Sequence, residues 1–75
     1  MNISEVTELI QSEIPDAQVS VDGEGCNFSV KVISSTFSGL SLVQRQRKVM
    51  APFKEKIASG ELHALSVKAL LPEEA

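Results

Sequence analysis

The 75-residue sequence predicts a small α+β fold, with a mixed three-stranded sheet covered by helices. Three observations lead there. Apolar residues recur at three- and four-residue spacing in two separate regions, which marks amphipathic helices. Three other stretches alternate apolar and polar residues, which marks strands. The helical text "LSLVQRQRKVMAPFKEKIAS" separates the second alternating stretch from the third, giving the order α-β-β-α-α-β, with a closing helical turn at the end.

Each element has its own local signal. Residues 2 to 14 carry Ile3, Val6, Ile10 and Ile14 on one helical face, with Leu9 beside them. Asn2 followed by Glu5 forms a capping-box start, and Pro15 ends the helix by pushing Ile14 toward extended backbone. From Gln18 the chain alternates, with Val19 and Val21 inward and Gln18, Ser20 and Asp22 outward; Phe28, Val30 and Val32 resume the alternation after "DGEGCN". Two strands joined by a glycine-bearing turn form a β-hairpin, and Cys26 falls in the connection or at the start of the second strand. Residues 34 to 41, "SSTFSGLS", read as a polar connector, with Ser41 and Gln44 supplying a second capping box. Leu42, Val49, Met50, Phe53 and Ile57 follow at helical spacing. Pro52 suits the first turn of a new helix and not the interior of an old one, so the region divides into helices 41–51 and 52–59. Gly60 stops the second of these. Residues 62 to 70 form the last strand, with His63, Leu65, Val67 and Ala69 on one face, and "PEEA" frays beyond it.

A hairpin pairs the first two strands antiparallel, and a helical crossover pairs the second and third in parallel. That arrangement matches the second topology of the KH fold, a nucleic-acid-binding architecture. The KH signature loop is GxxG, and the nearest text, "GLSL" from Gly39 to Leu42, lacks the second glycine.

Size and composition narrow the chemistry. A single domain spanning residues 1–75 buries roughly 60% of its unfolded surface, leaving little core for a deep catalytic cleft. No segment reads as a phosphate loop, a paired-cysteine metal motif or a nucleophile with an orienting partner, so no catalytic residue is assigned. With one cysteine the chain forms no internal disulfide. It also has no apolar leader and no bilayer-length apolar run, which together predict a cytoplasmic protein without membrane contact. The net charge of −3 is unevenly spread. Glu5, Glu8, Glu13, Asp16, Asp22 and Glu24 precede residue 25, where no Lys or Arg occurs, whereas Arg45, Arg47, Lys48, Lys54 and Lys56 fall between residues 45 and 56, opposed there only by Glu55. The acidic total lacks the global field of a typical nucleic-acid binder, and the basic stretch reads first as a solvated helix face.

Two constellations remain. Cys26 and His63, the only cysteine and the only histidine, are donor types favoured by zinc and by iron–sulfur clusters. Two donors complete neither site, so another chain or a small thiol would have to supply the rest. Gly39, Arg45, Arg47 and Lys48 form the second group. Structurally, the glycine admits a tight approach to the helix and the arginines flank its exposed face; functionally, they form a cationic rim for an acidic partner, glutathione carboxylates or phosphates.

"FSGLSLVQRQRKV", residues 37 to 49, followed by "LHALSVKALLPEE" from Leu62, closely resembles the BolA family, and the similarity runs through nearly the whole chain. The resemblance implies a non-enzymatic partner of monothiol glutaredoxins that shares a bridging 2Fe–2S cluster, used in iron–sulfur trafficking or assembly or in iron regulation. The glutaredoxin and its bound glutathione would provide two sulfurs. His63 matches the family's late-strand histidine, and Cys26 its second ligand in the loop between the first two strands; the isolated chain would hold no cluster. A homodimer sharing a cluster would use two copies of the same residues. Gln46 stands where relatives carry a histidine between the two arginines, and Leu71-Pro72-Glu73-Glu74-Ala75 replaces a Thr-Pro-aromatic ending. Some BolA proteins are described as transcriptional regulators, which makes DNA contact through the Arg45–Lys48 region the alternative. Such binding would be strongly salt dependent.

Overall fold

The computed structural model describes residues 2–24 and 27–75. Helix α1 spans Ile3–Glu13, strand β1 Gln18–Glu24 and strand β2 Asn27–Ile33. Helix α2 spans Leu42–Met50, helix α3 Lys54–Ser59 and strand β3 Ala64–Leu70. Short 3-10 turns at Ser35–Phe37, Ala51–Phe53 and Pro72–Glu74 punctuate the chain. The sheet order is β1-β2-β3, with β1 antiparallel and β3 parallel to the central β2. The predicted fold class is therefore the one observed.

Local chemistry accounts for the boundaries. The Asn2 side chain accepts the Glu5 N–H at 2.9 Å, satisfying one orphan donor at the head of α1. At α2 the capping box is complete: Ser41 Oγ accepts from the Gln44 N–H, and Gln44 Oε1 accepts from the Ser41 N–H at 2.9 Å. Pro52 occupies the 3-10 turn between α2 and α3, where its missing N–H costs no helix bond.

One face of the sheet carries the core. Phe28, Val30 and Val32 of β2 pack against Val6 and Ile10 of α1, with Ile14, Val49, Phe53, Leu62 and Ala69 completing the cluster. Phe37, in the connector that reads as polar, is fully buried. The connector thus anchors the crossover instead of merely spanning it. Three residues of the apolar periodicities face water: Ile3, Leu42 and Ile57. Ile3 and Leu42 are the first residues of their helices, where the side chain is only half enclosed by neighbouring turns.

The end of the chain is tied down where fraying was expected. Glu74 accepts the Leu71 N–H at 2.7 Å and the Arg45 guanidinium at 2.8 Å, holding the Pro72–Glu74 turn against the body. Those two donors pull the Glu74 pKa down, the backbone N–H contributing most.

Candidate functional site at the head of the last strand

His63 is positioned by the way α3 ends. Gly60 adopts φ 85°, a left-handed conformation costly for residues with a Cβ, and its N–H bonds the Ile57 carbonyl at 3.2 Å. The chain then reverses, the Leu62 N–H reaches the Lys56 carbonyl at 3.2 Å, and the Leu62 side chain is fully buried. With Leu62 anchored inward and Ala64 opening β3, His63 projects as an exposed side chain. It precedes the strand, which begins at Ala64 and not at Leu62 as the sequence pattern had it, because the backbone bends at His63.

The parallel register pairs Ala64 with Asn27, and the antiparallel register pairs Asn27 with Glu24. The residue after His63 is thus the neighbour of the residue after Cys26. Cys26 itself lies outside the described residues. Neighbouring strands run about 4.8 Å apart, so the β1–β2 connection departs from the same end of the sheet that carries His63. Among the described residues no three His, Cys, Asp or Glu side chains converge on a point that could hold a metal ion. The donor set suits a shared centre: an accessible imidazole, with a sulfur donor encoded beside its strand neighbour and further ligands required from outside the chain.

The second constellation lies elsewhere. Gly39 sits in the loop before α2 with φ 80°, so it serves the backbone turn, and the space around it is open. Arg45 does not flank an exposed face. It is 8% exposed, donating from Nε to the Leu40 carbonyl at 3.2 Å and from Nη1 to the Ala69 carbonyl at 3.4 Å and Glu74 Oε1 at 2.8 Å. Its place on the stripe shared with Val49, four residues on, turns it toward the sheet, where only full pairing keeps a guanidinium tolerable. Arg45 is therefore removed from the cationic rim. Arg47 remains exposed and Lys48 half-buried. Ala69, the partner of Arg45, lies five steps along β3 from Ala64, about 17 Å from the His63 end at the usual strand rise.

A polar cluster absent from the sequence reading stands near the C-terminal end of β2. Asp16 Oδ1 accepts from Ser34 Oγ at 2.7 Å and Thr36 Oγ1 at 3.0 Å, while Oδ2 accepts from Ser35 Oγ at 3.0 Å. These hydroxyls, Ser34 first, hold the Asp16 pKa below its ordinary value. The cluster ties the end of α1 to the connector across some twenty residues of sequence, a separation over which no local pattern operates.

The fold and the projecting histidine define a small mixed-sheet domain of KH-like topology with the exposed His63 at one end of the sheet. Residues 4–74 match the family model described as BolA-like protein, and the chain belongs to the BolA family. It is 39% identical over 74 residues to an uncharacterized protein in the rpoN-murA intergenic region of Acinetobacter guillouiae, covering 99% of this chain and 89% of that protein. It is 34% identical to the acid stress protein IbaG of Escherichia coli K12, covering 99% of this chain and 88% of that relative. Among solved structures it is similar to BolA1 from Arabidopsis thaliana, with a TM-score of 0.83 at 30% identity over 96% of this chain and 93% of the other.

Proposed function

We propose that this chain is a non-enzymatic partner of a monothiol glutaredoxin, lending His63 and Cys26 to a 2Fe–2S cluster whose remaining ligands come from the glutaredoxin and its bound glutathione. The observation that carries the reading is the exposed His63 at the sheet end where Ala64 pairs with Asn27, next in sequence to Cys26. An exposed imidazole with no hydrogen-bond partner among the described residues is available to ligate, and a thiolate from Cys26 would supply the soft donor that iron favours. Nucleic-acid contact through the basic helix is the weaker reading, because Arg45 spends its charge inside the fold on Glu74.

Anaerobic cluster reconstitution with a monothiol glutaredoxin and glutathione, followed by visible circular dichroism, tests the proposal. A mixed-complex spectrum distinct from the glutaredoxin homodimer, lost in His63→Ala, is the expected result. Cys26→Ser then shows whether the thiol ligates. A spectrum identical to that of the glutaredoxin alone would sink the reading.

A further inference from the structure

Strand β3 is an edge strand, and among the described residues no further strand pairs with its outer side. The Leu70 carbonyl accepts from the Ser34 N–H at 3.0 Å and so points toward β2. Backbone direction alternates along a strand, so Leu65, Val67 and Ala69 turn their N–H and C=O groups outward. Arg45 takes the Ala69 carbonyl, which blunts that end of the edge. Among the described residues, Leu65 and Val67 make no backbone hydrogen bond outside the sheet ladder. Beside this edge a groove of about 210 Å³ runs between β3 and the first turn of α2, lined by Leu42, Gln46, Val67, Lys68, Ala69 and Leu70. On α2, Leu42 and Val43 are 68% and 57% exposed, the most exposed large apolar side chains of the described residues.

We propose that this groove binds an extended acidic segment of another protein, alternating carboxylate and branched apolar residues, which adds to β3 as a fourth strand. Unpaired strand edges template such addition, with main-chain hydrogen bonds giving affinity and alternate side chains giving specificity. Val67 offers both a donor and an acceptor to the incoming backbone, and Leu42 offers an apolar contact. Charge selects the occupant. Lys68 lines the groove and has no ion pair among the described residues. A second copy of β3 would set Lys68 near its own counterpart, a like-charge contact that disfavours pairing. A single-stranded nucleic acid would want an aromatic platform, and Phe28, Phe37 and Phe53 are all buried. The groove makes no use of His63, since Val67 lies three positions, about 10 Å, along β3 from Ala64.

The test is a nitrogen-15 NMR titration of the full chain. The probes are an acetylated and amidated peptide of alternating Glu and Val, its Lys–Val counterpart, and a single-stranded oligodeoxythymidylate. The acidic peptide is expected to give saturable shifts at the Leu65 and Val67 amides, with slowed hydrogen exchange at Val67. Binding should weaken by roughly tenfold in Lys68→Glu and in Leu42→Asp, both at exposed positions that leave the core intact. No saturation by roughly 5 mM peptide would overturn the proposal. So would equal binding of the basic peptide, shifts of the same amides by the oligonucleotide alone, or their dependence on protein concentration without peptide.

Discussion

Replacing Arg45 by alanine decides whether this arginine belongs to the surface or to the fold. The side chain is 8% exposed and donates to the Leu40 and Ala69 carbonyls and to Glu74. Its removal orphans the buried Ala69 carbonyl and releases the C-terminal turn. Hydrogen bonds from charged donors contribute about 1.5–3 kcal/mol, and the 3.2 and 3.4 Å lengths place these two carbonyl bonds at the weak end, so a net loss of about 2–3 kcal/mol is expected. A chain of this length has a total stability of about 4–11 kcal/mol, so the variant should still fold, with its Tm lowered by about 10–20 °C. The chain contains no Trp and no Tyr, so urea unfolding is followed by far-ultraviolet circular dichroism and not by intrinsic fluorescence. Arg45→Lys keeps the charge but not the forked geometry, and most of the loss should persist. Glu74→Gln retains an acceptor for the Leu71 N–H and should cost less than either. Arg45→Ala within about 0.5 kcal/mol of wild type would refute the reasoning and return the guanidinium to the surface.

Three further outcomes are expected. Phe37→Ala should remove about 3–5 kcal/mol through loss of a fully buried ring, leaving a chain close to unfolding at room temperature, whereas truncation of the exposed Val43 should change stability by less than about 0.5 kcal/mol; urea midpoints compare the two. Asp16→Asn removes a carboxylate whose folded pKa is depressed, so the wild type's advantage over it should be fully present above the unfolded aspartate value of about 3.9 and be lost progressively as pH falls from there through the lower folded value. Urea midpoints from neutral pH to pH 3 show this, and a pH-independent difference would rule out the carboxylate as the origin. Gly60→Ala forces a Cβ into the left-handed conformation that precedes His63 and should cost about 1 kcal/mol, read by thermal melts.

The helices, hairpin and crossover were legible because each rests on interactions within a few residues. Asn2 and Ser41 cap helices whose starts they announce, Gly60 supplies the left-handed stop, and Phe28, Val30 and Val32 alternate because a strand has a period of two. Phe37 was harder to place, since one apolar residue among serines has no periodicity to declare its burial. Arg45 was misread for a related reason. Helical spacing places it with Val49, but a charged residue on that stripe reads as solvent-facing until its acceptors are known.

What the sequence by itself determined was the order and type of the elements, the single cysteine and single histidine, and the family to which the two motifs point. Only the tertiary structure decided how distant residues combine. It drew Arg45 onto Glu74 across 29 positions, gathered three hydroxyls onto Asp16, and set Ala64 beside Asn27 at one end of the sheet. It also left β3 at the edge of the sheet. The physical reason is range: caps and periodicities act over one or two turns of chain, whereas burial, charge pairing and strand register are settled only when the folded chain brings distant segments into contact.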